Sequence, residues 1–323
     1  MSTAFRVGTR GSALAVTQTT TVAEALAASG SLRYSIVRVK TEGDVTSGPL
    51  SQLGGTGVFA AALRHALLRG ECDVAVHSLK DLPTAQPEGL VIAATPARAD
   101  VRDALCARDG LTLDGLPRGA TVGTGSPRRA AQLRAARPDL NVVDIRGNVG
   151  TRLGRVAGKD RPVDDGGVGH GRAGDLDAVV LAAAGLRRLG LAGHVTEYLD
   201  PSVMLPAPGQ GSLAVECRPE TAASGDLAAE LARLDDAPTR LAVTAERSLL
   251  ARLEAGCSAP IGALARIVDG ALTLEAAVCS PDGARTLRLA RTGEPTADGA
   301  AALGRALAED LLAGGAAELA GLG

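Results

Sequence analysis

The chain has no tryptophan and little else that is aromatic: Phe5, Tyr34, Phe59 and Tyr198 complete the set. Proteins that grip single-stranded nucleic acid stack its bases on such rings, so no nucleic-acid partner is expected. Cysteine is sparse, and Cys72, Cys106, Cys217, Cys257 and Cys279 form no CxxC pair and are odd in number, which argues against a disulfide framework and a thiolate zinc site. The histidines (His65, His77, His170 and His194) show no metal-ligand spacing, so no metal is expected. No apolar run approaches the roughly 20 residues that span a bilayer. The first ten residues lack the charged-then-apolar pattern of a secretory signal, so the sequence reads as cytoplasmic, with no membrane partner.

Lysine is nearly missing too: Lys40, Lys80 and Lys159 stand against 31 arginines. In such a chain a single arginine says little and a cluster says more. Over residues 118–152 seven arginines face only Asp139 and Asp144, although the whole chain carries a net charge of -2. The positive charge is therefore focused.

At 323 residues and 46% hydrophobic content the chain can bury two or three cores. Short β-type runs at 5–8, 34–39, 73–77 and 89–94 alternate with amphipathic helical stretches, the pattern of an α/β sheet covered by helices. A second α/β segment begins near Val101, with strands at 120–124, 141–145 and 178–181, each followed by a helix. The run 212–217 reads as a strand returning to the first domain. From about Ala237 a long helix (239–253) leads to strands at 262–268, 271–279 and 285–290, then helices to the end, a smaller α+β domain. The middle of 154–176, rich in glycine and without apolar periodicity, reads as a surface loop.

Three strand-to-helix junctions look built for anions. In GTRGSALA, Ser12 can cap a helix starting near Ala13, with Arg10 beside its free amides. In GTGSPRR, Ser126 suits the cap and Pro127 the first helical position. Arg128 and Arg129 then occupy a first turn where cations are unfavourable unless an anion intervenes. In RGNVGTR, Arg146 and Arg152 flank a turn capped by Asn148. Guanidinium forks suit carboxylates or phosphates; the alternative is that these arginines pair with acids of the chain itself. DVAVHSLKDLP ends a buried strand with polar groups at its carboxyl end, where open α/β sheets bind ligands. Asp81 there is either an acid/base or a helix cap, and His77 a structural hydrogen-bonding residue. Cys257 lies on a Gly/Pro loop, more accessible than the strand-like Cys217 and Cys279.

Taken in order, TRGSALAVTQ, GTGVFAAALRHALL, DVAVHSLKDLP, VGTGSPRRAAQL, DIRGNVGTRL, LAAAGLRRLGL, LPAPGQG and VTAERSLLARLEAGCSAPIG resemble the hydroxymethylbilane synthase (porphobilinogen deaminase) family over nearly the whole chain. The resemblance implies two α/β domains like type II periplasmic binding proteins plus a small C-terminal α+β domain. Their bounds are 1–98 with 212–234, 99–211 and 235–323. It implies a monomeric transferase that joins four porphobilinogen molecules to a covalent dipyrromethane primer and releases hydroxymethylbilane by hydrolysis. By the same resemblance Cys257 carries that cofactor through a thioether and Asp81 is catalytic. Ser78, Lys80, Thr124, Ser126, Arg128, Arg129, Arg146 and Gly147 bind the cofactor, and Arg10, Ser12, Gln18, Arg152, Arg188 and Gln210 bind substrate. Where many members have GGKGLF preceded by another lysine, this chain has Gln52 and Thr56. A rival reading is a non-catalytic carboxylate- or oxyanion-binding protein, which has no need of an accessible cysteine in an extra domain. A cysteine-nucleophile transferase is a third, and it requires a histidine beside Cys257.

Overall fold

The computed structural model describes residues 3–39, 58–159, 173–254 and 259–321. The chain divides into two compact units, 1–99 with 212–243 and 100–211 with 244–323.

In the first unit, Ser12 accepts a hydrogen bond from Ala15 N at 3.3 Å and so starts α1 (Ala13–Ala27) after β1 (Thr3–Thr9). The buried positions of α1, Gln18, Thr19, Val22, Ala23 and Leu26, recur at three- and four-residue spacing and form one face. The unit continues through β2 (Leu32–Arg38), α2 (Val58–Leu68), β3 (Val74–Ser78) and β4 (Val91–Ala94). The returning strand β10 (Leu213–Cys217) then inserts, followed by α6 (Pro219–Ala223) and α7 (Asp226–Leu234). The sheet order is β2-β1-β3-β10-β4, with β1 parallel to β2 and β3 and β10 antiparallel to β3 and β4. Phe5, Val7, Val74, Val76 and Val215 pack with Val22 and Leu26 into its core.

The second unit holds β5 (Asp103–Ala107), β6 (Thr121–Gly123), α3 (Pro127–Ala136), β7 (Asn141–Val143) and α4 (Val149–Leu153). These are followed by β8 (Ala178–Ala182), α5 (Ala183–Arg188) and β9 (Glu197–Leu199). Its sheet runs β7-β6-β8-β5-β9, with β6 parallel to β7 and β8, and β5 antiparallel to β8 and β9. Renumbered, this is the topology of the first sheet: in each unit the second strand of the order, β1 or β6, is flanked by two parallel neighbours, and the central strand, β3 or β8, has an antiparallel strand on its other side. Two strands are additions to the sequence reading. β5 is buried at all five positions and shows no alternation, and β9 is only three residues long. The ends of the glycine-rich stretch are joined by a parallel bridge between Val156 and Leu176; its middle lies outside the described residues.

After α8 (Ala237–Arg252) the chain forms the antiparallel meander β11 (Ile261–Val268), β12 (Ala271–Cys279) and β13 (Thr286–Gly293). It closes with α9 (Ala297–Ala313) and α10 (Ala316–Ala320). Thr296 caps α9, whose buried Ala300, Leu303, Leu307 and Leu311 face inward at helical spacing. The class is therefore mixed α/β, with two alike five-stranded sheets and a smaller C-terminal α+β portion.

Candidate active site

In the first unit the polar groups gather at the carboxyl ends of two neighbouring parallel strands. β1 delivers Thr9, Arg10 and the Ser12 cap, and β3 delivers Ser78 and the 3-10 turn Leu79–Asp81. Gln18, buried on α1, exchanges hydrogen bonds with the Ser78 hydroxyl at 3.1 and 3.2 Å, tying helix to turn. Asp81 ends that turn, exposed, and does not cap a helix. No described residue donates to its carboxylate, which leaves it open to a ligand. Lys80 beside it is half-buried. Leu79 N donates to Ser212 O at 3.1 Å, and β10, which pairs with β3, carries a buried charge cluster. Glu216 is wholly buried and takes both oxygens to Arg64 Nε at 3.1 Å, His77 Nε2 at 3.3 Å and Gln86 Nε2 at 2.9 Å. Burial pushes its carboxyl up, but His77 and Arg64 outweigh that and hold it down at about 2. His77 stands in this cluster as an ion-pair neighbour of Glu216.

The second unit repeats the arrangement at the carboxyl ends of β6, β7 and β8. Ser126 caps α3 by accepting from Arg129 N, and Thr124 Oγ1 accepts from Ser126 N at 3.2 Å. Only glycine fits at 125, because a Cβ there would stand 2.5 Å from Ile145 O. Asn148 caps α4 by accepting from Thr151 N at 3.0 Å, and Gly147 turns the chain with φ 106°. Its carbonyl accepts from Arg152 Nε at 2.7 Å. Arg146 lies half-buried with Asp144 at 3.1 Å, and Arg188 donates to Gly211 O at 2.9 Å.

Arg128 and Arg129 differ from the sequence expectation in one respect: part of the anion between them is the chain's own. Asp103, at the start of β5 and wholly buried, meets Arg128 Nη2 at 2.8 Å and Arg129 Nη2 at 2.7 Å. Counting charge over 118–152 could not see it, because it comes from a strand outside that window. A charge opening the apolar run DALCA was the available signal. Burial pushes the Asp103 carboxyl up, and Arg128, Arg129 and Gln210 overcome this and hold it at about 2. Gln210 is buried within this network, donating to Val101 O at 2.8 Å and Asp103 Oδ1 at 2.9 Å.

Positive charge still exceeds negative here. Burial, then the charges of Arg129 and Arg146, push the Arg152 guanidinium down to about 10, with Asp144 opposing only in part. Burial likewise lowers Arg188. Arg128 Nε and Thr151 Oγ1 are buried without a hydrogen-bond partner among the described residues. Unsatisfied donors and mutually repelling cations in one region are features that an anion would relieve.

Four cysteines can be set aside as nucleophiles. Cys72, Cys106, Cys217 and Cys279 are free and buried. Burial raises the first three to about 11, 12 and 11 and raises Cys279 as well. Cys257 lies outside the described residues, as do Gln52 and Thr56. Among the described residues no group of acids, histidines and cysteines could hold a metal ion, and no helix is long and apolar enough to cross a membrane.

The fold is that of a mixed α/β protein whose strand ends gather arginines, with an added C-terminal α+β portion. The family model described as "Porphobilinogen deaminase, dipyromethane cofactor binding domain" matches residues 5–225, and "Porphobilinogen deaminase, C-terminal domain" matches 240–313. Among curated relatives, the porphobilinogen deaminase of Cutibacterium acnes is 57% identical over 99% of this chain and 97% of its own length. That of Micrococcus luteus is 61% identical over 88% and 80%. The chain belongs to the porphobilinogen deaminase family. A periplasmic substrate-binding protein of an ABC transporter from Coxiella burnetii is a solved structure similar at TM-score 0.43 and 16% identity, covering 71% of this chain and 91% of that one.

The family's cofactor fits the residues present. A dipyrromethane built from two porphobilinogen units carries acetate and propionate groups, and the excess cations and orphaned donors of the second unit suit carboxylates.

Proposed function

We propose that this chain is a porphobilinogen deaminase, a transferase that adds four porphobilinogen molecules in turn to a dipyrromethane held by Cys257 and releases hydroxymethylbilane. The observation that carries this reading is the surplus of buried and half-buried guanidinium at the carboxyl ends of β6, β7 and β8, where Arg152 is pressed by Arg129 and Arg146. A substrate bearing two carboxylates, added repeatedly, needs that charge, whereas a carrier of one small anion needs less.

In this reading the bound cofactor supplies the pyrrole carbon to which the first substrate is joined. Ser78, Lys80, Thr124, Ser126, Arg128, Arg129, Arg146 and Gly147 hold its carboxylates and ring N–H groups. Arg10, Ser12, Gln18, Arg152, Arg188 and Gln210 receive or support the incoming substrate. Asp81, whose carboxylate is open at the end of its turn, stabilises the cation left when ammonia departs from the aminomethyl carbon. It then takes the ring proton after the new carbon–carbon bond forms. Two carboxylates per unit entering a fixed set of cations also limits how long the chain can grow before hydrolysis.

We further assign three domains, 1–98 with 212–234, 99–211 and 235–323. The family resemblance extends the reading to a monomer, and we carry over from the sequence a cytoplasmic location and no nucleic-acid partner. Intact mass of the purified chain and of its Cys257→Ser variant tests the central claim. An excess equal to two linked pyrrole units, present only with Cys257, is the expected result. A bare mass that stays bare after porphobilinogen is added would refute it and favour a non-catalytic binding protein.

A further inference from the structure

Asp103 does more than balance charge, because of which donors it occupies. Its Oδ1 accepts from Arg129 Nε at 2.9 Å and meets Arg129 Nη2 at 2.7 Å. Arg129 Nη2 also reaches Gln210 Oε1 at 3.5 Å, and Nη1 donates to Val180 O at 3.1 Å. A guanidinium has five N–H donors, so one Nη1 proton of Arg129 is left without an acceptor among the described residues, on a side chain 5% exposed. Arg128 is treated alike: Nη2 meets Asp103 Oδ2, Nη1 donates to Leu205 O at 2.7 Å, and Nε is buried and unpartnered.

The carboxylate is itself held in place. Gln210 donates to its Oδ1 at 2.9 Å, and the neighbouring Gly209 N donates to the wholly buried Glu246 of α8 at 2.6 Å. Glu246 also accepts from Ala265 N of β11 at 2.8 Å. A buried chain of hydrogen bonds therefore runs from α8 and β11 through the 209–210 turn to the arginine pair.

We propose that Asp103 is a positioning residue for carboxylate recognition, occupying one edge of Arg129 and one nitrogen of Arg128 so that a donor on each stays available to an anionic ligand. This rests on the reading of the arginine cluster as the site for cofactor and substrate carboxylates. A carboxylate that merely neutralised the pair could sit elsewhere nearby with the same effect.

Moving it is the test. Asp103→Asn combined with Gln210→Glu shifts the negative charge along one existing hydrogen bond. In the full chain carrying Cys257→Ser, so that no covalent group occupies the site, sulfate binding is followed by the rise in melting temperature at constant ionic strength. With Cys257 intact, KM and kcat for porphobilinogen and the loaded fraction by mass are measured. The relocated charge should restore melting to near that of the parent. Sulfate binding should weaken about tenfold, the order expected for a lost charge-assisted hydrogen bond, and KM should rise by a similar factor with a smaller change in kcat. Sulfate binding within about twofold of the parent overturns the proposal, as does a parent that sulfate does not stabilise. If the relocated variant does not fold, Gln210→Met removes the amide that tethers Asp103, together with its contacts to Val101 O and Arg129, and it must weaken sulfate binding by about threefold or more for the proposal to stand. A parent that binds sulfate but never gains pyrrole mass would refute the proposed activity and leave the role of Asp103 intact.

Discussion

Replacing Glu216 by glutamine should weaken the first unit through the titration of one buried carboxyl. That carboxyl ordinarily titrates near 4.5 and is held at about 2 by His77 and Arg64. A difference of this size corresponds to roughly 3 kcal/mol of stability at neutral pH. Because the folded value is the lower one, the stabilisation is complete above about pH 5 and is lost as the pH falls from 4.5 toward 2. The amide of Glu216→Gln keeps an acceptor for some of its partners but leaves the half-buried Arg64 without its counter-charge, a loss of the same sign. The variant should therefore be about 3 kcal/mol less stable at pH 7 and show a flatter decline between pH 4.5 and 2.5.

The sparse aromatics make the assay selective. Tyr34 belongs to the first unit and packs near Phe5 with ring centroids 6.3 Å apart, whereas Tyr198 belongs to the second. In a Tyr198→Phe background, tyrosine emission during urea unfolding reports on the first unit alone, and each unit is analysed as its own transition. A loss below about 1 kcal/mol at pH 7, or an acid limb as steep as that of the parent, would refute the reasoning.

Two further outcomes follow from the site. Asp81→Ala should lower turnover by about 100-fold or more while the intact mass still shows the bound pyrroles. Its melting point should barely move, since Asp81 is exposed and caps nothing; turnover within tenfold of the parent would remove Asp81 from the chemistry. Iodoacetamide at pH 8 should leave Cys72, Cys106, Cys217 and Cys279 unmodified in the folded chain, because burial keeps them as thiols. Peptide mapping should find label only at Cys257, and only in molecules without the pyrrole mass; early label on any of the four would contradict their burial.

Much of the fold was legible because its signals are local. The caps at Ser12, Ser126 and Asn148 each need a side-chain oxygen and an amide three residues on, and all three form. The return of 212–217 to the first sheet could be read because an apolar run without a helix before it has to pair with strands already made, and β10 does so between β3 and β4. β5 escaped for the opposite reason. A strand buried on both faces in the middle of a sheet shows no alternation, and a short one is indistinguishable from a buried helical turn.

The parts of the site that escaped notice are those in which distant acids meet arginines. Asp103 and Arg129 are 26 residues apart, and Glu216 and Arg64 are 152 apart. No periodicity links such pairs, and a window that counts charge along the chain assigns each arginine to whatever acids happen to be nearby in sequence. The 118–152 window therefore overstated the free positive charge by omitting Asp103, and it also missed how Arg128 and Arg129 are fixed. The surplus survived the correction only because a single buried carboxylate cannot satisfy two guanidinium groups and also quiet the repulsion among Arg129, Arg146 and Arg152. That shortfall is what the proposed function draws on: charge of the opposite sign, supplied as separate carboxylates, would relieve it.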